Sequence, residues 1–294
     1  MAGHDPAGRL NGLAIETRYD VALSSLTTIG VGGPARRLLV PSSIEQLAAV
    51  VRRLRLERER FMVLGAGSNV LFADEGFAGT IVWTGRVCGI DVREGCVRAA
   101  AGTRLVRLLD DTHVVRAGTL DFLAGIPGSV GGAVASNAGI REASVADALV
   151  AVELLLPNGE RVDWPPPACG FSYRRMAAVA EGAVVLSADL SLVGRRFDRK
   201  SLLAFRKATQ PVGARTAGCV FRNPHDRPAG AMIDELGLKG LRVGDARISG
   251  KHANFIINEG QATCAQIRTL IDIVRRKVYK GHRVLLDLEI EVVG

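Results

Sequence analysis

Apolar residues recur along this chain at two spacings. Short runs suited to strands, FMVL (61–64), TIVWTG (80–85) and CVRAAAG (96–102), alternate with stretches in which apolar positions fall three and four residues apart. In SSIEQLAAVV (42–51), Ser43 and Gln46 have capping-box spacing ahead of an apolar stripe, which predicts a helix. VAVELLLPNGERVDW (150–164) predicts a hairpin with Asn158-Gly159 at its turn. Beyond about residue 197 a polar link leads into RRFDRKSLLAFRKATQ (195–210), read as a helix. A Gly-rich stretch follows, then a second helix from Thr263, with Ile267, Leu270, Ile271, Val274 and Val278 at helical spacing. The closing VLLDLEIEVV (284–293) predicts a strand with Leu286, Leu288, Ile290 and Val292 on one face and Asp287, Glu289 and Glu291 on the other. Together these elements predict an α+β or mixed α/β protein, without repeats.

Composition narrows the picture. With 294 residues and 48% hydrophobic side chains, the chain can fill two or three cores. No run reaches the ~18 apolar residues of a membrane span, and the opening MAGHDPAGRL lacks a secretory layout, so the expected compartment is the cytoplasm. Cys88, Cys96, Cys169, Cys219 and Cys264 are scattered, without a C-x-x-C pair or zinc-type spacing, which argues against a disulfide framework and against a metal site. Each is then a small hydrophobe or a working thiol. The net charge of +8 favours anionic partners. The dense stretch Arg52–Arg60 carries two glutamates and reads as a solvated helix face, and Arg275-Arg276-Lys277 suit the C-terminal end of a helix dipole. With 5% aromatic residues and no interleaved basic-aromatic stripe, nucleic acid is not the expected partner.

Glycines carry the strongest local signal. Gly30, Gly32 and Gly33, then Gly65 and Gly67 in LGAGSNVLF, then Gly125, Gly128, Gly131 and Gly132 in AGIPGSVGGAVASNAG, form three loops at strand-like edges. Such loops let backbone N–H groups ring an anion such as a pyrophosphate, although glycine also serves plain turns. The dinucleotide fingerprint G-x-G-x-x-G fails because its third glycine falls on Val70, and no G-x-x-x-x-G-K-[ST] phosphate loop occurs. A bound nucleotide would need a different fold.

In order, LTTIGVGGPA, VLGAGSNVLFADEGFAGTIV, LAGIPGSVGGAVASNAG, FSYRRM, RKATQPVGARTAGCVFRNP, AGAMIDELGLKGLRVGDARISGKHANFIIN and LEIEVVG resemble the UDP-N-acetylmuramate dehydrogenase (MurB) family, from about Leu26 to Gly294. The lack of a longer insertion after Val193 and the ending at Gly294 resemble the shorter of its two forms. The resemblance implies an α+β protein with the FAD-binding fold of MurB and PCMH-type flavoproteins and a C-terminal α/β substrate-binding domain. The implied boundaries are 1–84 with 285–294 as the first FAD-binding subdomain, 85–197 as the second, and 198–284 as the UDP-sugar domain. It implies FAD and NADPH as cofactors and a UDP-sugar as the small-molecule substrate, with neither nucleic acid nor membrane insertion. In the implied reaction NADPH reduces FAD, and the reduced flavin delivers hydride to the methylene carbon of UDP-N-acetylglucosamine enolpyruvate. The resulting enolate, beside a carboxylate, is then protonated to give UDP-N-acetylmuramate for peptidoglycan synthesis.

The same resemblance implies the site residues. Gly65, Ala66, Gly67, Ser68, Asn69 and Val70 would wrap the FAD pyrophosphate, with Gly125, Ile126, Pro127, Gly128, Ser129, Gly132, Asn137 and Gly139 alongside the cofactor. Arg174 falls on the catalytic arginine, whose fixed charge forks onto a carboxylate. Glu291 falls on the catalytic glutamate, with Glu289 as the fallback; the three carboxylates of its strand face would raise one another's pKa. Cys219 falls where the family most often has serine as proton donor, and a thiol with pKa about 8.5 is an easier acid than an alcohol. Tyr173, Lys207, Asn223 and His252 would contact the UDP-sugar. Three departures stand out: Met176 for a usual serine, Ile140-Arg141 for a usual Ala-Tyr pair, and Val293 where an arginine is common. They leave open a related FAD oxidoreductase with another anionic substrate, or a flavin-binding protein without turnover.

Overall fold

The computed structural model describes residues 4–10, 13–224 and 227–294; Met1 to Gly3, part of the stretch read for targeting, lie outside them. The chain divides into two compact units, one of 1–19, 37–66 and 79–204 and the other of 20–36, 67–78 and 205–294.

Unit 1 is built on two five-stranded sheets. The first orders β1 (His4–Leu10), β2 (Leu13–Ala22), β3 (Pro34–Val40), β4 (Phe61–Leu64) and β6 (Phe77–Trp83) as β1-β2-β3-β6-β4. In it, β4 and β6 run parallel with Phe61 opposite Thr80. The second is antiparallel, with β7 (Ile90–Arg93), β8 (Cys96–Ala100), β9 (Leu149–Leu155), β10 (Arg161–Trp164) and β13 (Val184–Ser191) ordered β10-β9-β13-β8-β7. The expected hairpin is β9–β10, with Leu155 opposite Arg161 and Asn158-Gly159 inside its connection.

The helix Ile44–Leu56 begins where the spacing placed it: Ser43 Oγ accepts the N–H of Gln46 at 3.2 Å. Its buried Leu47, Val50, Val51 and Leu54 pack with Leu39, Val82, Leu155 and Leu186. The basic run on this helix is not a purely solvated face. Arg52 Nε donates to the carbonyl of Gly159 at 2.8 Å, and the Arg55 guanidinium donates to the carbonyls of Leu156 and Gly182. A guanidinium has five donors, so carbonyls at the tip of β9–β10 compete with water for it.

One face of the antiparallel sheet carries a buried carboxylate. Glu153 is 6% exposed and accepts from Arg161 Nε at 2.8 Å, Arg98 Nη2 at 2.7 Å and Ser187 Oγ at 2.9 Å. Burial alone would push this carboxyl up, but the hydrogen bonds from Arg161, Ser187 and Arg98 outweigh it and hold it below the usual range. Its contribution to stability is therefore full above the ordinary carboxylate value of about 4.3 and is lost as pH falls through the lower folded value. Glu153→Ala should lower unfolding free energy by about 3 kcal/mol at neutral pH, the low end for breaking a buried pair because both arginines keep some water. Denaturant titration of the variant at neutral and acid pH checks both the size and the loss of the difference below that range.

Unit 2 holds β5 (Val70–Phe72) paired in parallel with β17 (Glu291–Val293), and a three-stranded antiparallel sheet of β14 (Arg242–Val243), β15 (Ala246–Ile248) and β16 (Ile256–Asn258). The helix Cys264–His282 starts at the expected Thr263, which forms a capping box with Gln266, and buries Ile267, Leu270, Ile271, Val274 and Val278. Asp74 secures its first turn, accepting the N–H groups of Cys264 at 2.7 Å and Ala265 at 3.0 Å. The helix Arg199–Thr209 forms as expected but buries none of its residues. Among the described residues no helix is long and apolar enough to cross a membrane.

The terminal strand is shorter than its alternation predicts. Regular pairing covers only β17, and Glu289-Ile290 bend. Before the bend, Asp287 O accepts Arg222 N–H and Glu289 N–H reaches Val220 O; after it, Glu291 N–H reaches Asn69 O at 3.0 Å. The segment changes partners there.

Candidate active site

In unit 1, Arg174 lies in the two-residue connection between β11 (Phe171–Ser172) and β12 (Arg175–Met176). Its guanidinium donates to Asn137 O at 3.4 Å and Gly139 O at 3.2 Å, and lies 5.3 Å from the ring centroid of the exposed Tyr173. Met176 is 1% exposed and belongs to the core, so a methionine in place of the usual serine fills volume there. Ile140 packs against the same core.

Also in unit 1, the bend at Gly65-Ala66 adjoins the turn Gly125–Ser129: a Cβ on Gly65 would lie 2.5 Å from Ser129 Oγ. Among the described residues the backbone N–H groups of Ala66, Gly125, Gly128 and Ser129 donate to no protein acceptor. Ser129 Oγ meanwhile accepts the N–H of Gly132 at 3.4 Å. Ser129 is buried and Ala66 and Gly128 are half-buried, and neighbouring amides left over in this way suit a multivalent anion, which is what a pyrophosphate offers.

In unit 2, the loop Gly67–Asn69 is clasped to two other segments. Thr28 N–H donates to Gly67 O at 2.9 Å, and Thr28 Oγ1 donates to Thr216 O at 2.7 Å. Gly67 has φ 64°, and a Cβ there would meet Leu26 O at 2.0 Å, so only glycine fits. Asn69 accepts Glu291 N–H on its carbonyl and donates Nδ2 to Glu289 O at 3.1 Å. The loop expected to hold a cofactor is thus hydrogen-bonded to the strand of Glu291 and clasped to the segment leading to Cys219.

Cys219 is half-buried and bridges to Phe255. By contrast, Cys169 and Cys264 are buried, and burial pushes both thiols up to about 11, as fits core residues. The Cys219 segment is held by Asn254, whose carbonyl accepts Val220 N–H, while its side chain accepts Phe221 N–H at 2.9 Å and donates to Phe221 O at 2.8 Å. On either side of the cysteine, Thr216 Oγ1 and Arg222 Nε are buried without a hydrogen-bond partner among the described residues. Asn254 and Thr28 received no role from the sequence. For Asn254 the signal was a polar side chain between Ala253 and Phe255, which must find partners when buried; Thr28, beside Thr27, carries no such signal.

The Glu291 side chain is exposed, yet protein around its carboxyl desolvates it enough to raise its pKa above the ordinary range. Burial is the sole cause. The like charges of Asp287 and Glu289, expected to supply the shift, are not its cause.

Two of the remaining expected residues, Asn223 and His252, meet the start of the helix Ala229–Glu235. Asn223 Oδ1 accepts Ala229 N–H at 3.0 Å, and a Cβ on Gly230 would lie 3.0 Å from His252 Cε1. His252 Nδ1 accepts Asn254 N–H at 3.2 Å, which puts the hydrogen of the neutral ring on Nε2. Burial, helped by the charge of Lys239, lowers the His252 pKa and keeps that ring neutral. Lys207 is exposed, and its carbonyl accepts Nζ of Lys251, the residue before His252.

Comparison with known proteins decides the family. Residues 35–164 match the FAD binding domain, and residues 210–293 match the C-terminal domain of UDP-N-acetylenolpyruvoylglucosamine reductase. The reductase of Syntrophus aciditrophicus is 37% identical over 286 residues, covering 94% of this chain and 91% of that protein. That of Carboxydothermus hydrogenoformans is 39% identical over 280 residues, covering 92% of each. The chain belongs to the UDP-N-acetylenolpyruvoylglucosamine reductase family. The crystal structure of the enzyme (MurB) from Thermus caldophilus, 38% identical, superposes with a TM-score of 0.77 over 95% of this chain and 99% of that one. The expected α+β FAD-binding fold is therefore this family's fold. At the departure Val293, the backbone pairs with Phe72 and the carbonyl accepts Ala73 N–H at 2.7 Å.

Proposed function

We propose that this chain is a cytoplasmic, FAD-dependent reductase that uses NADPH to convert UDP-N-acetylglucosamine enolpyruvate to UDP-N-acetylmuramate for peptidoglycan synthesis. The observation that carries the reading is the hydrogen-bonded grouping in unit 2 of the Gly67–Asn69 loop, the segment of Cys219 and the strand of Glu291. Family membership and the unclaimed amides of Ala66, Gly125, Gly128 and Ser129 support it. Gly65 to Val70, with Gly125 to Ser129, Gly132 and Gly139, are the proposed FAD-holding residues; Asn137, expected beside them, has its N–H, carbonyl and side-chain amide all engaged within the protein and is not counted among them. When bound, FAD supplies the hydride route from NADPH to the methylene carbon of the substrate.

The chain's own residues have the remaining work. Arg174 forks onto the substrate carboxylate and balances the negative charge that grows on the enolate. The Cys219 thiol gives its proton to the carbon that bears the carboxylate, leaving a thiolate that is reprotonated from solvent. Glu291, its carboxyl raised by desolvation, keeps a proton to higher pH than an ordinary glutamate and polarises the enolate through it. Tyr173, Lys207, Asn223 and the neutral Nε2–H of His252 are the proposed contacts to the UDP-sugar. The finer division into 1–84 with 285–294, 85–197 and 198–284 belongs to the same proposal; pairing of β17 with β5 supports joining 285–294 to the N-terminal segment.

The purified protein should show flavin absorbance, and its oxidation of NADPH should depend on UDP-N-acetylglucosamine enolpyruvate. A protein that binds no flavin would overturn the reading. Flavin without substrate-dependent oxidation would assign the fold to another anionic substrate or to flavin binding without turnover.

A further inference from the structure

The guanidinium proposed to meet the enolate belongs to a residue in a sparsely populated backbone state, and so does the residue that holds it. Arg174 has φ 55° and Asn137 has φ 43°, both in the left-handed region that non-glycine residues rarely enter. Two hydrogen bonds join them at the turn. Asn137 O accepts Arg174 Nη1 at 3.4 Å at the tip of the β11–β12 hairpin, while Asn137 Nδ2 donates to Ser172 O at 3.1 Å at the end of β11, where the turn begins. Asn137 Oδ1 accepts Ala146 N–H at 3.1 Å, which settles which end of the amide faces the hairpin, since an N–H needs an oxygen and a carbonyl needs an N–H. The side chain is 8% exposed and engaged at both ends.

We infer that Asn137 is a positioning residue for Arg174, its amide anchoring the end of β11 where the turn begins while its carbonyl, with that of Gly139, orients the guanidinium. This inference rests on the catalytic reading of Arg174 given above. A hairpin of two-residue strands is marginal alone, and an arginine at its tip would sample many orientations. A clasp on the strand end and on the side chain of the turn pre-orients the guanidinium, and left-handed backbone held by surrounding bonds is a recurring mark of such sites.

Asn137→Gly tests this without breaking the loop, because glycine adopts the left-handed backbone freely while removing both side-chain bonds. The variant should keep wild-type flavin content, visible spectrum and rate of flavin reduction by NADPH, while kcat for reduction of the enolpyruvyl ether falls on the order of 10-fold. Arg174→Ala should slow that step on the order of 10²-fold. The double variant should be no slower than Arg174→Ala, since nothing remains for Asn137 to orient. If Arg174→Ala is slow but Asn137→Gly turns over normally, the clasp is refuted and the reaction assignment stands. If Arg174→Ala turns over normally, both fall. Flavin loss in Asn137→Gly, or additive losses in the double variant, would assign Asn137 a separate role and overturn the inference.

Discussion

Replacing Cys219 by alanine is expected to slow reduction of the enolpyruvyl ether by about 10²–10⁴-fold, the range of a lost general acid, while NADPH still reduces the flavin. The backbone around the thiol is fixed independently of its side chain, by the pairing of Val220 and Phe221 with Asn254 and of Arg222 and Glu289 across the neighbouring segment. Alanine should therefore leave the fold in place and remove only the proton source. Cys219→Ser should retain substantial activity, because a hydroxyl in the same position still donates a proton, though from a weaker acid than a thiol of pKa about 8.5. Rapid-mixing absorbance separates the two half-reactions, flavin bleaching by NADPH and flavin recovery on adding the UDP-sugar. If alanine leaves recovery at the wild-type rate, Cys219 is packing.

The parts of the molecule legible in the sequence are those where one periodicity has one cause. The helix Cys264–His282 buries the five apolar positions its spacing selects, and its capping box forms at Thr263 and Gln266. The hairpin at Asn158-Gly159 likewise follows from local turn chemistry. Reading failed where one pattern serves two partners. VLLDLEIEVV alternates throughout, but its backbone pairs with Val220 and Arg222 before Glu289-Ile290 and with Asn69 after it, and a period of two carries no record of that change. The pKa of Glu291 was consequently credited to neighbouring carboxylates when its cause is desolvation. Arg52 and Arg55 misled differently: their spacing is that of a wet helix face, and the carbonyls that capture them lie more than a hundred residues away in the chain. At the candidate site, motif order nominates Arg174, Cys219 and Glu291 for the proposed reaction, whereas Asn254, Thr28 and the clasp at Asn137 are visible only as hydrogen bonds between distant segments.

Glu291→Gln should separate chemistry from stability. Glutamine keeps the shape but holds no transferable proton, so reduction of the enolpyruvyl ether should fall by about 10²–10⁴-fold with flavin reduction by NADPH unchanged. Stability should move the other way. Desolvation raises the Glu291 carboxyl above its ordinary value in the folded protein, so the acid's contribution to stability is full below that ordinary value and is lost as pH rises through the folded one. Above the ordinary carboxylate range the wild type bears the cost of desolvating this carboxyl, which glutamine lacks, and Glu291→Gln should melt at or above the wild-type temperature. The advantage should shrink as pH falls toward about 4, where the wild-type carboxyl is protonated in both states. A slow variant that is also less stable at neutral pH would mark Glu291 as a structural anchor for β17, and one that turns over normally would remove it from the mechanism. Slow turnover with undiminished stability is the signature expected of a carboxyl kept desolvated for its proton.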